Sequence, residues 1–162
     1  MNKAVFLDRD GVVNKRAQLG KYVLSQSDFH LLPGVLEALK YAKSKGYLTV
    51  LITNQSCVGR GLISEKDLAA LHKHLQKLLT EKGVCFLDAV YFCPHLPTEG
   101  CACRKPKPGM LLKASKELGI DLAQSIFVGD FETDLLAGKA ANCPTYIIKP
   151  EENLSTCLGK LI

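Results

Sequence analysis

Short apolar, β-branched runs recur along the chain at residues 4–7, 48–52, 89–92, 126–128 and 145–148. Each is too short for a helix, and polar or turn residues bound it, so each predicts a buried strand. The intervals between them carry helical periodicity. It spans residues 34–45 after Pro33, 65–81 after the capping pair Ser64 and Asp67, 109–118 before Gly119, and 133–140. Strands alternating with helices predict an α/β fold, a three-layer sandwich around a mostly parallel central sheet. Residues 1–150 read as one domain and residues 151–162 as a short C-terminal tail. No repeat or internal linker interrupts the pattern.

The polar residues that close the apolar runs carry more information than the runs. Asp8 and Asp10 follow the first, Thr53 and Asn54 the second, Cys93 and His95 the third, and Asp130 the fourth. In an open parallel sheet the carboxyl ends of the strands line the ligand crevice. Segments far apart in the chain are therefore expected to meet around one ligand.

Asp8 and Asp10 are two positions apart, so both carboxylates project to one side while extended geometry persists. Gly11 permits a tight turn after them. A divalent cation would offset their repulsion, leaving Asp8 to present an oxygen as nucleophile while Asp10 exchanges a proton. Thr53 adds a hydroxyl and Lys105 a positive charge, both suited to phosphoryl oxygens. Asp130 closes a fourth segment, Val128-Gly129-Asp130-Phe131-Glu132-Thr133-Asp134, where a strand-end carboxylate suits a hard cation. Asp134 either reinforces that site or faces solvent in the first turn of a helix. Singly, these residues also suit an acidic turn, a turn hydroxyl and a solvated loop cation. Their order along one sheet favours a site.

Composition narrows the partners. With 47% hydrophobic residues in 162, the chain can build a substantial core. Its formal charge of +5 is a mild excess that suits an anionic substrate without indicating nucleic acid. No apolar run approaches membrane-spanning length, and the opening MNKAVFLDRDG has no signal-peptide pattern, so a cytoplasmic protein is expected. The seven cysteines are an odd number, and in a reducing compartment metal binding or buried thiols outrank disulfides.

Four soft or borderline ligands fall within residues 93–103: Cys93, His95, Cys101 and Cys103. Three thiolates and one imidazole can surround zinc tetrahedrally, and a site filled by protein groups is structural. Such a zinc would fix the loop just before Arg104 and Lys105. Cys57, Cys85 and Cys143 are expected to be buried thiols and Cys157 to lie in the tail, while His30, His72 and His74 are expected to serve packing or the surface.

The segments FLDRDGVVN, GKYV, PGV, TNQS with GRG shortly after, CPH, CACRKPKPGML and VGDFETD together resemble the haloacid dehalogenase-like phosphatases. Within these the chain is most similar to the branch related to histidinol-phosphate phosphatases, and to its enzymes acting on D-glycero-D-manno-heptose 1,7-bisphosphate. The resemblance covers residues 3–148. It implies a Rossmann-like fold with a minimal cap and a zinc-binding loop. It also implies that Asp8 attacks phosphorus and that Asp10 protonates the leaving alkoxide and then activates water. Thr53 and Lys105 would assist at the phosphoryl group, with magnesium held by Asp8, the Asp10 carbonyl and Asp130. Gly11, Gly129 and Asp134 would support the site, and Asn54, Gln55, Ser56, Arg104 and Lys105 would contact the substrate. The implied reaction removes the 7-phosphate of a small phosphorylated sugar, with histidinol phosphate or another sugar bisphosphate as the alternative substrate. A monomer with no nucleic-acid or membrane partner is expected. Phe131 stands where these enzymes commonly carry a basic residue.

Overall fold

A computed structural model describes residues 1–83 and 85–162. Its sheet contains β1 (Lys3–Leu7), β2 (Tyr47–Asn54), β3 (Ala89–Cys93), β4 (Ile126–Gly129) and β5 (Thr145–Ile147). The strand order is β3-β2-β1-β4-β5, and all neighbours are parallel. The connecting helices are α1 (Val35–Ser44), α2 (Glu65–Gly83), α3 (Gly109–Leu118) and α4 (Glu132–Ala140), followed by α5 (Leu154–Leu161).

Strand alternation divides the core into two layers. Val5 and Leu7 of β1 pack with Val35, Ala38 and Leu39 of α1, while Ala4 and Phe6 face Met110, Leu111 and Ala114 of α3. Covering both faces is what an all-parallel sheet requires, and it explains why its strands read as continuous apolar runs. Each fully buried Leu, Val or Phe contributes about 1.5–3 kcal/mol. In α1 the buried positions Val35, Ala38, Leu39 and Ala42 repeat with helical period, so one stripe meets the sheet.

Helix ends follow the local chemistry. Ser64 Oγ accepts from the Asp67 amide at 3.0 Å at the start of α2. Gly119, at φ 62°, closes α3 in the left-handed conformation.

Most boundaries shift by a residue or two from the sequence reading, Cys93 for one lying inside β3 rather than after it, and two differences reach further. β2 runs through Thr53 and Asn54, which pair with Phe92 and Cys93 of β3, so these polar residues lie inside the ladder rather than after it. Residues 151–162, which read as a short tail, contain α5, whose Leu154, Cys157 and Leu158 are buried in the layer built on α1. Asn153 caps α5 by accepting from the Ser155 amide at 2.9 Å, and a Cβ on Gly34 would meet its Oδ1 at 2.0 Å. The starts of α1 and α5 are thereby fitted to each other. Among the described residues, no helix is long and apolar enough to cross a membrane.

Candidate active site

β1 lies between β2 and β4, and the chain leaves β1 toward β2 while β4 flanks its other edge. This reversal opens a crevice beyond the strand ends. A cavity of about 320 Å³ lies there, lined by Asp8, Asp10, Asn54, Ser56, Arg104 and Lys105 among others. The four polar segments separated in sequence therefore converge.

Asp8 follows β1 directly, and its amide donates to the Val128 carbonyl at 3.0 Å, continuing the ladder to β4. Its Oδ1 accepts from the Arg9 amide at 2.8 Å and lies 2.9 Å from Lys105 Nζ. Burial pushes the Asp8 carboxyl up, to about 7; Lys105 opposes that rise, while Asp134 and Asp130 add to it. A cation shared with these carboxylates would reverse the balance and favour the ionised form.

Lys105 is almost fully buried. Besides Asp8, its Nζ contacts Asp134 Oδ1 at 2.6 Å and donates to the Ile52 carbonyl at 3.1 Å. Burial alone would lower its pKa, but Asp8 and Asp134 outweigh burial and raise it. Lys105 is a fixed ammonium, not a solvated loop cation. Asp134 is likewise buried, and its Oδ2 accepts from the Asp130 and Phe131 amides at 3.1 and 3.2 Å. Asp134 therefore does not face solvent. Gly129 is required here, because a Cβ would lie 2.3 Å from the Asp134 Cβ.

Asp10 has a different environment. Arg9 Nη2 lies 3.1 Å from its Oδ1, and that oxygen also accepts from Asn14 Nδ2 at 2.9 Å. Gln55 Nε2 donates to Oδ2 at 2.9 Å. Burial raises the Asp10 carboxyl, but the Arg9 charge and these hydrogen bonds outweigh it and hold its pKa below the ordinary carboxylate value. Two acids two positions apart are thus driven in opposite directions, Asp8 toward its protonated form and Asp10 toward its carboxylate, so the nucleophilic role of Asp8 depends on a cation that restores its ionised form.

Arg9 and Asn14 carried no role in the sequence reading, and His72 only one in packing or at the surface. Arg9 is 0% exposed, and its Nη1 lies 3.1 Å from His72 Nε2. A guanidinium can only donate, so Nε2 accepts and His72 is neutral. Burial and Arg9 push the imidazole down to about 4, partly opposed by Asp10. The signal for Arg9 was present in sequence: a cation between two aspartates at the end of an apolar strand must be paired if it is buried. His72 had no such signal, because only tertiary packing brings α2 to Arg9.

The expected substrate-contacting residues divide. Ser56 and Arg104 line the cavity, and Arg104 Nη1 also donates to the His95 carbonyl at 3.4 Å. The Asn54 side chain accepts from the Lys105 amide at 3.0 Å and donates to its carbonyl at 3.1 Å, fixing that loop. Gln55 Nε2 bonds Asp10 and also Thr53 Oγ1, the latter at 2.9 Å. Gln55 therefore holds other site residues in place, while Asn54 both fixes the Lys105 loop and lines the cavity. Thr53 Oγ1, by accepting from Gln55, keeps its own proton available to donate.

Oxygens of Asp8, Asp130 and Asp134 lie within 4.8 Å of one another. Asp130 Oδ1 is buried without a hydrogen-bond partner, and its other oxygen, Oδ2, pairs with Arg16 Nη2 at 2.7 Å. An unpartnered buried carboxylate oxygen beside Asp8 fits a hard divalent cation. Gly11 is needed for this approach, since a Cβ there would meet Asp130 Oδ2 at 2.0 Å.

Ligand atoms of Cys93, His95, Cys101 and Cys103 form a second group within 4.8 Å. Cys93 Sγ lies 3.6 Å from Cys101 Sγ and 3.4 Å from His95 Nδ1, which is 3.2 Å from Cys103 Sγ. Ordinary zinc bond lengths in a tetrahedron give edges of about 3.8 Å between sulfurs and about 3.6 Å between sulfur and nitrogen. The four residues fit zinc. The loop also packs closely on its neighbours: the Gly59 amide donates to the Pro94 carbonyl at 2.9 Å, and a Cβ on Gly109 would meet the Ala102 carbonyl oxygen at 2.2 Å. All seven cysteines are free thiols, and Cys57, Cys85, Cys143 and Cys157 are buried.

The chain is similar to known proteins over most of its length. A family model described as haloacid dehalogenase-like hydrolase matches residues 2–142. The D-glycero-beta-D-manno-heptose-1,7-bisphosphate 7-phosphatase of Helicobacter pylori (strain ATCC 700392 / 26695) is 46% identical over 156 residues, covering 96% of this chain and 88% of that protein. The D-glycero-alpha-D-manno-heptose-1,7-bisphosphate 7-phosphatase of Campylobacter jejuni is 43% identical, over 93% of this chain and 84% of that protein. Among solved structures, the D,D-heptose 1,7-bisphosphate phosphatase from B. bronchiseptica, complexed with magnesium and phosphate, superposes with a TM-score of 0.89. That pair is 35% identical, covering 98% of this chain and 97% of the other. The family match over most of the chain, joined to relatives of this identity and coverage, establishes that the chain belongs to the haloacid dehalogenase-like hydrolases.

Proposed function

We propose that this chain is a phosphoric monoester hydrolase that removes the 7-phosphate of D-glycero-D-manno-heptose 1,7-bisphosphate. The observation that carries the reading is the convergence of Asp8, Asp10 and Lys105 around one cavity, with Asp130 beside Asp8, in a protein similar over nearly its whole length to heptose bisphosphate phosphatases. Asp8 attacks phosphorus in line, forming an aspartyl-phosphate as the ester bond to the sugar oxygen breaks. Asp10 gives its proton to the departing alkoxide, then takes a proton from the water that attacks the acyl-phosphate, regenerating Asp8 and releasing phosphate.

Lys105 balances charge on the transferring group, and the Thr53 hydroxyl donates to one of its oxygens. Arg9, with Asn14 and Gln55, orients Asp10 and favours its carboxylate, the form that takes a proton from water, while the negative phosphoryl group of a bound substrate would raise its pKa for the proton-donating step. Arg104 and Ser56 meet the remainder of the substrate. Asp8, the Asp10 carbonyl and Asp130 would hold magnesium, which supplies further charge neutralisation at the phosphoryl oxygens. Zinc held by Cys93, His95, Cys101 and Cys103 would be structural, fastening the loop that carries Arg104 and Lys105. The protein works as a monomer in the cytoplasm, a reducing setting that suits its zinc thiolates and four buried thiols.

The test is a kinetic panel with magnesium: both anomers of the heptose 1,7-bisphosphate, histidinol phosphate and fructose 1,6-bisphosphate. A kcat/KM highest for a heptose bisphosphate, with phosphate lost from position 7, is the expected result. A preference for histidinol phosphate would replace the substrate while keeping the chemistry.

A further inference from the structure

Arg16 lies in the loop between β1 and α1, and its side chain is 51% exposed. Its Nη2 donates to Asp130 Oδ2 at 2.7 Å and to the main-chain carbonyl of Asp10 at 3.2 Å. Its Cζ lies 5.6 Å from the centroid of the Phe131 ring, which is itself 60% exposed at the cavity wall. One nitrogen of Arg16 therefore bridges two of the three groups assigned above to magnesium.

A divalent cation bonds such oxygens at roughly 2.0–2.1 Å in a near-octahedral shell and tolerates no competing donor between them. Arg16 already holds the Asp10 carbonyl and one oxygen of Asp130, Oδ2, leaving Oδ1 open. An ion on that carbonyl and on Oδ1 would have to compete with the guanidinium for the carbonyl and would meet its like charge at close range. The exposure of Arg16 and its stacking on Phe131 give it a place to move without crossing the core: a planar guanidinium keeps contact with an aromatic face as it slides. By contrast, Lys105 is locked by three buried partners and cannot exchange.

We infer that Arg16 is a built-in exchangeable cation: it holds the Asp10 carbonyl and the Asp130 carboxylate together, and a divalent ion binds there by displacing it. The inference rests on the magnesium assignment made above. Its consequence is that Arg16 weakens cation binding while keeping the acidic cluster ordered and partly neutralised. Arg16 is thus a positioning residue, and its effect is read in the substrate-free protein.

Titrate magnesium calorimetrically into the parent protein and into Arg16→Gln, Lys21→Gln and Asp130→Asn, without substrate. Release from competition should tighten magnesium binding by Arg16→Gln roughly threefold, the scale of one half-exposed ion pair. Lys21→Gln removes an equal charge from the same cavity wall and should leave the affinity unchanged. In thermal melts, Arg16→Gln should lose stability without divalent ions and gain more than the parent when magnesium is added. Equal or weaker magnesium binding by Arg16→Gln overturns the inference, as does equal tightening by Lys21→Gln, which would reveal a through-space charge effect. Unaltered binding by Asp130→Asn would instead remove the magnesium assignment, and this inference with it.

Discussion

The Nζ of Lys105 lies 2.9 Å from Oδ1 of Asp8, joining the loop before α3 to the end of β1. The same ammonium contacts Asp134 at the start of α4, so one buried cation ties three segments of the site together. Removing it would leave Asp8 and Asp134 facing each other in a buried setting. Lys105→Met is therefore expected to lower kcat/KM by about a thousandfold and to destabilise the fold by about 3 kcal/mol. Steady-state kinetics and urea unfolding at pH 7 check the two effects; a variant with parental stability would contradict the role of the ion pair.

The cysteine–histidine loop makes a separate prediction. Elemental analysis should find one zinc per chain in the parent, and Cys101→Ser should lose it and melt at lower temperature. Because Lys105 follows the loop closely, kcat/KM should fall as well. Addition of a strong chelator to the parent should reproduce the lower melting temperature. Full stability and activity without zinc would contradict the structural assignment.

His72 gives a pH signature. Its pKa is depressed from 6.5 to about 4 in the folded protein, so the fold holds it neutral while the unfolded chain readily protonates it. Its contribution is fully present above pH 6.5 and is lost progressively as pH falls toward about 4, amounting to about 3 kcal/mol. His72→Gln retains an acceptor for Arg9 but does not titrate. Unfolding free energies measured from pH 7 to pH 4 should converge or cross for the two proteins, and parallel curves would contradict the assignment.

Helix α5 makes the C-terminal segment part of the core. Leu158 is 0% exposed against the α1 layer, so Leu158→Ala is expected to cost about 2–5 kcal/mol. Urea unfolding provides the measurement, and a change below about 0.5 kcal/mol, the scale of surface substitutions, would show that α5 is dispensable.

Much of this architecture was legible from the chain because its signals are local. The strand runs, the Ser64 cap and Gly119 each act within a few residues, and the strand-end residues Asp8, Thr53 and Asp130 follow from sheet topology. The compact spacing of Cys93, His95, Cys101 and Cys103 was readable for the same reason. Relationships between distant surfaces were hidden. The partners of Gln55 and Asn54 become visible only when the fold brings them to Asp10 and the Lys105 backbone. The pairing of Arg9 with His72 depends on the docking of α2, and that of Arg16 with Asp130 on a loop crossing to β4. The final helix was obscured by Pro150 and a short amphipathic pattern whose apolar face makes sense only against α1.

The most direct test of the account is phosphorus NMR of the heptose 1,7-bisphosphate incubated with magnesium and either the parent protein or Asp8→Asn. The account predicts loss of the 7-phosphate resonance with retention of the 1-phosphate for the parent, and a rate at least about a thousandfold lower for Asp8→Asn, as befits loss of the nucleophile. Release at the parental rate by Asp8→Asn, or loss of the 1-phosphate first, would contradict it.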